Sequence, residues 1–260
     1  MSYLTAILLG VIEGVTEFLP ISSTGHLLIA EHWLPRQTDL FNVIIQCGAV
    51  LAVLAVFRKR ATELLSGWRE PVKRDYLLKL AVAFVLTAIG GVALKKAGLK
   101  LPKEIAPVAW ATLIGGGLIL LIEWALRGRA TARSIAWPVV FAVAAAQLLA
   151  AACPGTSRSG ATILFAMAIG LARAEATEFS FLLGIPTMFA AGGYEIVQEL
   201  RHGGADGAPW GLIIVGTIAA AVTAFGVVRW LLRFVQTHTF VAFGWYRIVL
   251  GAVLLLLPRL

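Results

Sequence analysis

Charge is scarce in this chain. Charged residues make up 14% of its 260 residues, where soluble domains carry about 25%. Hydrophobic residues make up 59%. That balance excludes an ordinary soluble domain and implies an integral membrane protein, because several apolar runs reach the roughly 20 helical residues that a bilayer crossing requires. Cysteine is scarcer still. Cys47 and Cys153 both sit in apolar runs, read as small core residues, and exclude a disulfide framework or a cysteine-built metal site. No secretory signal is expected, since the apolar N-terminal run lacks a basic start and leads straight into Glu13 and Glu17. A net charge of +8 would suggest nucleic acid in a soluble protein. In this composition it points to basic cytoplasmic loops and anionic headgroups, with no nucleic acid.

What is present is a repeated order of elements. Residues 1–19 read as an apolar helix carrying two glutamates, and 23–33 as a short helix ending near Pro35. Both are too short or too polar to be comfortable spans, so the pair reads as a re-entrant hairpin. Residues 40–57 form a span that ends in Arg58-Lys59-Arg60. The segment 58–79 is cytoplasmic by its basic excess, from Arg58, Lys59, Arg60, Arg69, Lys73, Arg74 and Lys79. Residues 77–94 run outward and 105–126 return to Arg127, Arg129 and Arg133, with Trp124 at the interface; Lys95, Lys96, Lys100 and Lys103 run against the charge bias. The pattern then restarts. Residues 135–152 and a short helix at 159–171 read as a second re-entrant hairpin, and spans follow at 177–197, 210–232 and 240–257, with a polar outer loop from Gln198 to Pro209. The expected fold is an all-α integral membrane protein with about six transmembrane helices and two re-entrant helical hairpins. It is read as a single transmembrane domain over 1–260. An odd number of spans separates the hairpins, which makes the halves, approximately 1–130 and 131–260, an inverted-topology repeat.

The chemistry gathers at the two breaks. In Glu13-Gly14-Val15-Thr16-Glu17 the carboxylates are four apart and share one helix face. Pro20 ends that helix, Ser22 or Ser23 can cap the next, and its free N–H groups attract anions, phosphate above all. Thr24 follows, and His26 lies one turn in. At Pro154-Gly155-Thr156-Ser157-Arg158-Ser159-Gly160, Arg158 brings a five-donor guanidinium suited to a phosphate oxyanion, beside Ser157, Ser159 and Gly160. Its alternative role is to pair with Glu13 or Glu17 and hold the hairpins together. The glutamates suit either a divalent cation shared with substrate phosphate or general-base work. His26 suits a general acid, a base that activates Ser23, or a nucleophile. Together they point to phosphoryl transfer. Arg247 either snorkels to the interface or faces the polar site. His32, His202 and His238 read as interfacial, Gly115-Gly116-Gly117 as close helix packing, and Gly155-Thr156-Ser157-Arg158-Ser159 is no nucleophile elbow.

The runs Glu13-Gly14-Val15-Thr16-Glu17-Phe18-Leu19-Pro20-Ile21-Ser22-Ser23-Thr24-Gly25-His26 and Pro154-Gly155-Thr156-Ser157-Arg158-Ser159-Gly160 closely resemble the two signatures of the undecaprenyl-pyrophosphate phosphatase family of the bacitracin-resistance type. Tyr246-Arg247 with Leu250-Gly251 is similar to the family's C-terminal helix. The resemblance implies a multi-pass enzyme of the bacterial plasma (inner) membrane, its site open to the outer, periplasmic face. It would hydrolyse undecaprenyl pyrophosphate to the monophosphate carrier lipid and inorganic phosphate, recycling the carrier for cell-wall synthesis and conferring bacitracin resistance. By position it implies Glu13 and Glu17 as metal or base carboxylates for Mg²⁺ or Ca²⁺. Ser23, Thr24 and His26 would form the catalytic cluster, and Ser157 and Arg158 would bind the pyrophosphate. The remaining substrate-side candidates are Ser22, Ser159, Gly160 and Arg247. The expected partners are the polyprenyl pyrophosphate and membrane lipids, with a homodimer allowed. A transporter or lipid flippase is the competing class, since inverted repeats with broken helices are a transporter architecture. An added flipping activity is speculative. An intramembrane serine protease is disfavoured, because an arginine beside the serine suits phosphate better than a peptide carbonyl.

Overall fold

The computed structural model describes residues 2–35, 37–98, 105–129, 131–201 and 209–256. These form eleven helices, and among them the only β pairing is one bridge, Ala132 to Leu171. The protein is an all-α membrane protein. Four helices are long and apolar enough to cross a bilayer: α5 (Pro71–Lys96), α6 (Ile105–Ala125), α9 (starting at Arg173) and α10 (Trp210–Thr237). A fifth candidate is the pair α3 (Asp39–Val56) and α4 (Arg58–Ser66), which bend by 64° where they meet. Large apolar side chains such as Ile89, Trp124 and Val222 point outward, as a lipid-facing surface requires.

The remaining helices are α1 (Tyr3–Thr16), α2 (Ser23–Trp33), α7 (Trp137–Ala152), α8 (Arg158–Ala168) and α11 (Val241–Leu256). Each falls short of the roughly 20 residues of a perpendicular crossing. Ser2 caps α1 by accepting from Thr5 N at 3.2 Å, and Thr38 caps α3 from Phe41 N, also at 3.2 Å. α5 begins at Pro71, six residues before the position the hydropathy suggests, because proline is preorganised for a first helical turn. α9 extends to Arg201 and carries Pro186 in its interior. There the Thr187 hydroxyl donates to Leu183 O at 2.9 Å and to Gly184 O at 3.2 Å, the kind of local compensation that makes proline tolerable in a membrane helix. Lys95 pairs with Glu195 at 3.6 Å and sits 4.0 Å over the Tyr194 ring, so one cation of the group that runs against the charge bias is partly neutralised. Lys100, Lys103, His202 and most of the Gln198–Pro209 loop lie outside the described residues.

α1 packs on α2 and α7 on α8, and the two hairpins meet tip to tip inside the bundle. α1 rests against α10 while α7 rests against α5; α2 touches α11 while α8 touches α6. At the far end of the bundle, buried Glu123 accepts two hydrogen bonds from Arg173, at 2.6 and 2.9 Å, and one from Phe240 N at 2.7 Å. That ties the ends of α6, α9 and α11 on the side that carries Arg58-Lys59-Arg60.

Candidate active site

The site is built by two chain breaks of the same design. Pro20 stops the first helix; Ser22 then turns to φ 72°, and its hydroxyl caps α2 by accepting from Gly25 N at 3.3 Å. Pro154 and Gly155 stop the second; Ser157 turns to φ 66° and caps α8 from Gly160 N at 3.2 Å. Among the described residues these are the non-glycine positions with positive φ. Each costs on the order of 1–3 kcal/mol, a strain that gathers where surrounding contacts hold it in place, often at functional sites.

Glu17 is the centre. One oxygen, Oε2, accepts from Ser23 Oγ at 2.7 Å; the other, Oε1, accepts from Arg158 Nη2 at 3.2 Å. Arg158 is further held by contact with Met188 Sδ and by the Phe18 ring, 5.6 Å from its guanidinium carbon. Its Nη1 is buried with no acceptor. Gly184 on α9 leaves the space this guanidinium occupies, for a Cβ there would collide with Nη1. Glu13, 2% exposed, lies one turn before Glu17 and within hydrogen-bonding reach of it and of the Gln46 amide. Its Oε2 is buried without a partner. Two buried carboxylates this close cannot both keep their charge without a compensating cation or proton. Arg158 supplies one positive charge for the two.

Both ring nitrogens of His26 have partners other than Glu17 and Ser23. Nδ1 lies 2.7 Å from Ser22 O, which can only accept, so Nδ1 carries a proton; Nε2 lies 2.7 Å from the Tyr246 hydroxyl. The imidazole and phenol rings stack at 5.6 Å. In the neutral ring Nε2 accepts from Tyr246.

The other expected residues divide by place. Thr24 is exposed and lines a cavity of about 200 Å³ with Glu13, Ser23, Leu27, Glu31, Asn42 and Gln46. Ser22, Ser159 and Gly160 are buried in the hairpin tips. Ser159 Oγ reaches Leu19 O at 3.0 Å and Glu17 O at 3.2 Å, and Ser157 Oγ reaches Leu19 O at 3.4 Å. These hydroxyls tie the second hairpin to the first. Arg247, 1% exposed, neither snorkels nor faces the cavity. Nε bonds Thr112 O, Nη1 bonds Pro20 O and Thr156 O, and Nη2 bonds Ala111 O and Gly155 O, at 3.0 to 3.3 Å. All five donors are engaged by backbone carbonyls, because an arginine is the side chain able to satisfy so many carbonyls where two helix breaks meet. No donor remains for a phosphate. Gly115 makes room for this guanidinium, and Gly116 brings α6 against Gly244 of α11. His32 packs on Trp33 and His238 on Phe234, both outside the site.

Residue-level reading of the sequence missed Asn42, Gln46, Gly184, Met188 and Tyr246. Only the first pair left a signal: two amides four apart on an otherwise apolar span.

These features define a class, an integral membrane protein whose carboxylate, hydroxyl and guanidinium meet between two broken-helix hairpins. The chain belongs to the bacitracin resistance protein BacA family, whose sequence model matches residues 6–253. It is 51% identical over 256 residues to the undecaprenyl-diphosphatase of Rhizobium etli (strain CIAT 652), covering 98% of this chain and 97% of that protein. Identity is 49% over 252 residues to the undecaprenyl-diphosphatase of Xylella fastidiosa (strain 9a5c), covering 96% and 97%. It is 50% over 255 residues to that of Xanthomonas oryzae pv. oryzae (strain PXO99A), covering 97% and 96%.

Proposed function

We propose that the chain is an undecaprenyl-diphosphatase, hydrolysing undecaprenyl pyrophosphate to undecaprenyl phosphate and inorganic phosphate. The observation that carries this reading is Glu17 held between Ser23 on one oxygen and Arg158 on the other, next to a buried guanidinium donor without an acceptor. A terminal phosphate presented to Arg158 Nη1 meets a strong donor that lacks a partner among the described residues. Ser23 then has its proton directed at Glu17. In the first step Ser23 Oγ bonds the terminal phosphorus, the anhydride P–O bond breaks, the lipid monophosphate leaves and Glu17 takes the proton. In the second, water displaces the phosphoryl group from Ser23 as inorganic phosphate, and the proton returns to the serine oxygen. A divalent cation, Mg²⁺ or Ca²⁺, fits beside Glu13, whose free buried oxygen has the hard-ligand chemistry such ions take. When bound it would neutralise the second carboxylate and offset phosphate charge.

The cavity opens toward Glu31 at the end of α2 and the first turns of α3, the end of α3 remote from Arg58-Lys59-Arg60. With the basic end cytoplasmic, the site opens to the periplasmic face of the inner membrane, where the carrier lipid would be returned to cell-wall synthesis and bacitracin resistance would follow from its supply. The inverted halves 1–130 and 131–260 belong to the same proposal. The matching Ser22 and Ser157 turns and the matched pairs α1–α10 with α7–α5 and α2–α11 with α8–α6 support it. Homodimer formation and movement of the product across the bilayer are finer parts of the reading, tested by particle mass in detergent and by labelled-lipid transfer in liposomes.

The deciding experiment is phosphate release from undecaprenyl pyrophosphate in detergent, with Mg²⁺ and with EDTA, for the unaltered protein, Glu17→Gln and Ser23→Ala. Loss of about a hundredfold or more in either variant, with a phosphoserine trapped on acid quench of the unaltered protein, supports the scheme. Full release by Ser23→Ala would assign attack to water. No release by the folded, unaltered protein would return the site to a transporter.

A further inference from the structure

Glu17 and Glu13 share a helix face, yet their oxygens are used differently. Both Glu17 oxygens are engaged, by Ser23 and by Arg158. Glu13 is 2% exposed, receives the Gln46 amide, and keeps Oε2 without a partner. Asn42 on α3 lines the same cavity, and its Oδ1 is also buried and unpartnered. Buried oxygens left bare cost about 1–3 kcal/mol each, and two on residues that line one small cavity call for a donor or cation. Among the described residues no three His, Cys, Asp or Glu side chains converge, so a cation held here takes neutral oxygens beside its carboxylate.

We propose that the cation site lies between α1 and α3, with Glu13 Oε2 and Asn42 Oδ1 as its protein ligands, and that Glu17 is not a ligand. It rests on the reading of a cation-assisted phosphatase given above. Gln46, four residues on from Asn42 and on the same helix face, is a positioning residue: its amide is a hydrogen-bonding partner of the Glu13 carboxyl, whose Oε2 keeps no partner. Two protein oxygens with the remainder from water and substrate phosphate is the pattern by which Mg²⁺ is commonly held.

The test is a Mn²⁺ titration of the full chain in detergent, read by the loss of the free-ion electron paramagnetic resonance signal and by competition with Mg²⁺. The unaltered protein should bind one Mn²⁺. Glu13→Gln and Asn42→Leu should each weaken binding at least about tenfold, and Glu17→Gln should leave it within about threefold, as expected if only the first two contribute ligand oxygens. Asn42→Asp should tighten it by about tenfold, since ligand charge raises affinity; a gain of this kind cannot come from misfolding. Unchanged binding in both Asn42 variants would overturn the proposal and make the two orphan oxygens a water site. Equal loss in Glu17→Gln and Glu13→Gln would overturn it too, placing the cation across both carboxylates, and so would the absence of any bound Mn²⁺. Phosphate release on the same samples separates the two readings. Metal-dependent release with an indifferent Asn42 sinks only this inference, and no release from the unaltered protein sinks the phosphatase itself.

Discussion

The two hairpins share one backbone device and carry different freight. Each breaks at a proline, turns through a serine at positive φ, and begins a helix of 11 residues capped onto a glycine N–H three positions on. Beyond that they part. The first supplies Glu13, Glu17, Ser23 and His26, and in its second helix only Gly25 is buried. The second supplies one reagent, Arg158, while Ser159 to Leu164, Ala166 and Met167 of α8 are buried. One hairpin is a wall of the cavity; the other is an anchor inside the core. The same turn serves both because its requirement is local: it ends a helix and presents the next helix's free N–H groups. Which hairpin acquires the chemistry depends on which face is wet.

Arg158 tests that division most severely. Arg158→Lys keeps the charge of the second hairpin but loses the fork that reaches Glu17 and leaves Nη1 free. Turnover should fall by about a hundredfold, with the thermal unfolding midpoint in detergent nearly unchanged. Near-normal turnover would make Arg158 a strut and the second hairpin wholly structural. Gly184→Ala approaches the same guanidinium from α9. The added Cβ must push Nη1 aside, and because that is the end of a flexible chain the cost falls on geometry rather than on the fold. About tenfold in kcat is expected, since sub-ångström misplacement of a charge clamp weakens transition-state contacts. No change would show that Arg158 moves before it works.

The outline of this arrangement was legible in the sequence because ionisable residues in apolar runs are conspicuous. Glu13, Glu17, His26 and Arg158 stood out singly, and Pro20 and Pro154 marked the breaks. What could not be read was how each group is engaged. Arg247 reaches carbonyls of Pro20, Gly155 and Thr156 from the far end of the chain, and its neighbours give no hint that all five donors face backbone. The direction of the His26 ring depends on Tyr246, 220 positions away. The positive φ of Ser22 and Ser157 was illegible for another reason, since sequence patterns place glycine or asparagine at such turns and serine only when tertiary contacts impose it. α5 started early because proline at its first position outweighed a polar, basic first turn.

The caps offer a matched pair. Ser22→Ala and Ser157→Ala each remove one cap hydrogen bond, about 1 kcal/mol by precedent. In the buried hairpin the same change also removes the Ser157 hydroxyl's hydrogen bond to the Leu19 carbonyl of the first hairpin, so Ser157→Ala should lower the unfolding midpoint more than Ser22→Ala. Ser157→Gly should recover part of that loss by relieving the positive φ. Equal shifts for the two serines would mean that the second hairpin is no more anchored than the first.

The smallest expected effect concerns His26. Its Nδ1 is engaged by Ser22 O and its Nε2 by the Tyr246 hydroxyl, so the ring is placed to hold the first hairpin's helix start rather than to move the serine proton. Tyr246→Phe keeps the 5.6 Å ring stack and removes only the hydroxyl. A loss of about threefold in kcat/KM is expected, the size of one neutral hydrogen bond to a positioning group. The pH profile should keep its shape, because in the proposed scheme Glu17 and not the imidazole takes the proton. If Tyr246→Phe instead cost about a hundredfold and displaced the acid limb of the profile, the imidazole and phenol would be a proton relay to the leaving phosphate. The first hairpin would then carry the general acid as well as the base, and the division between hairpins would be sharper than the Glu17 contacts alone imply.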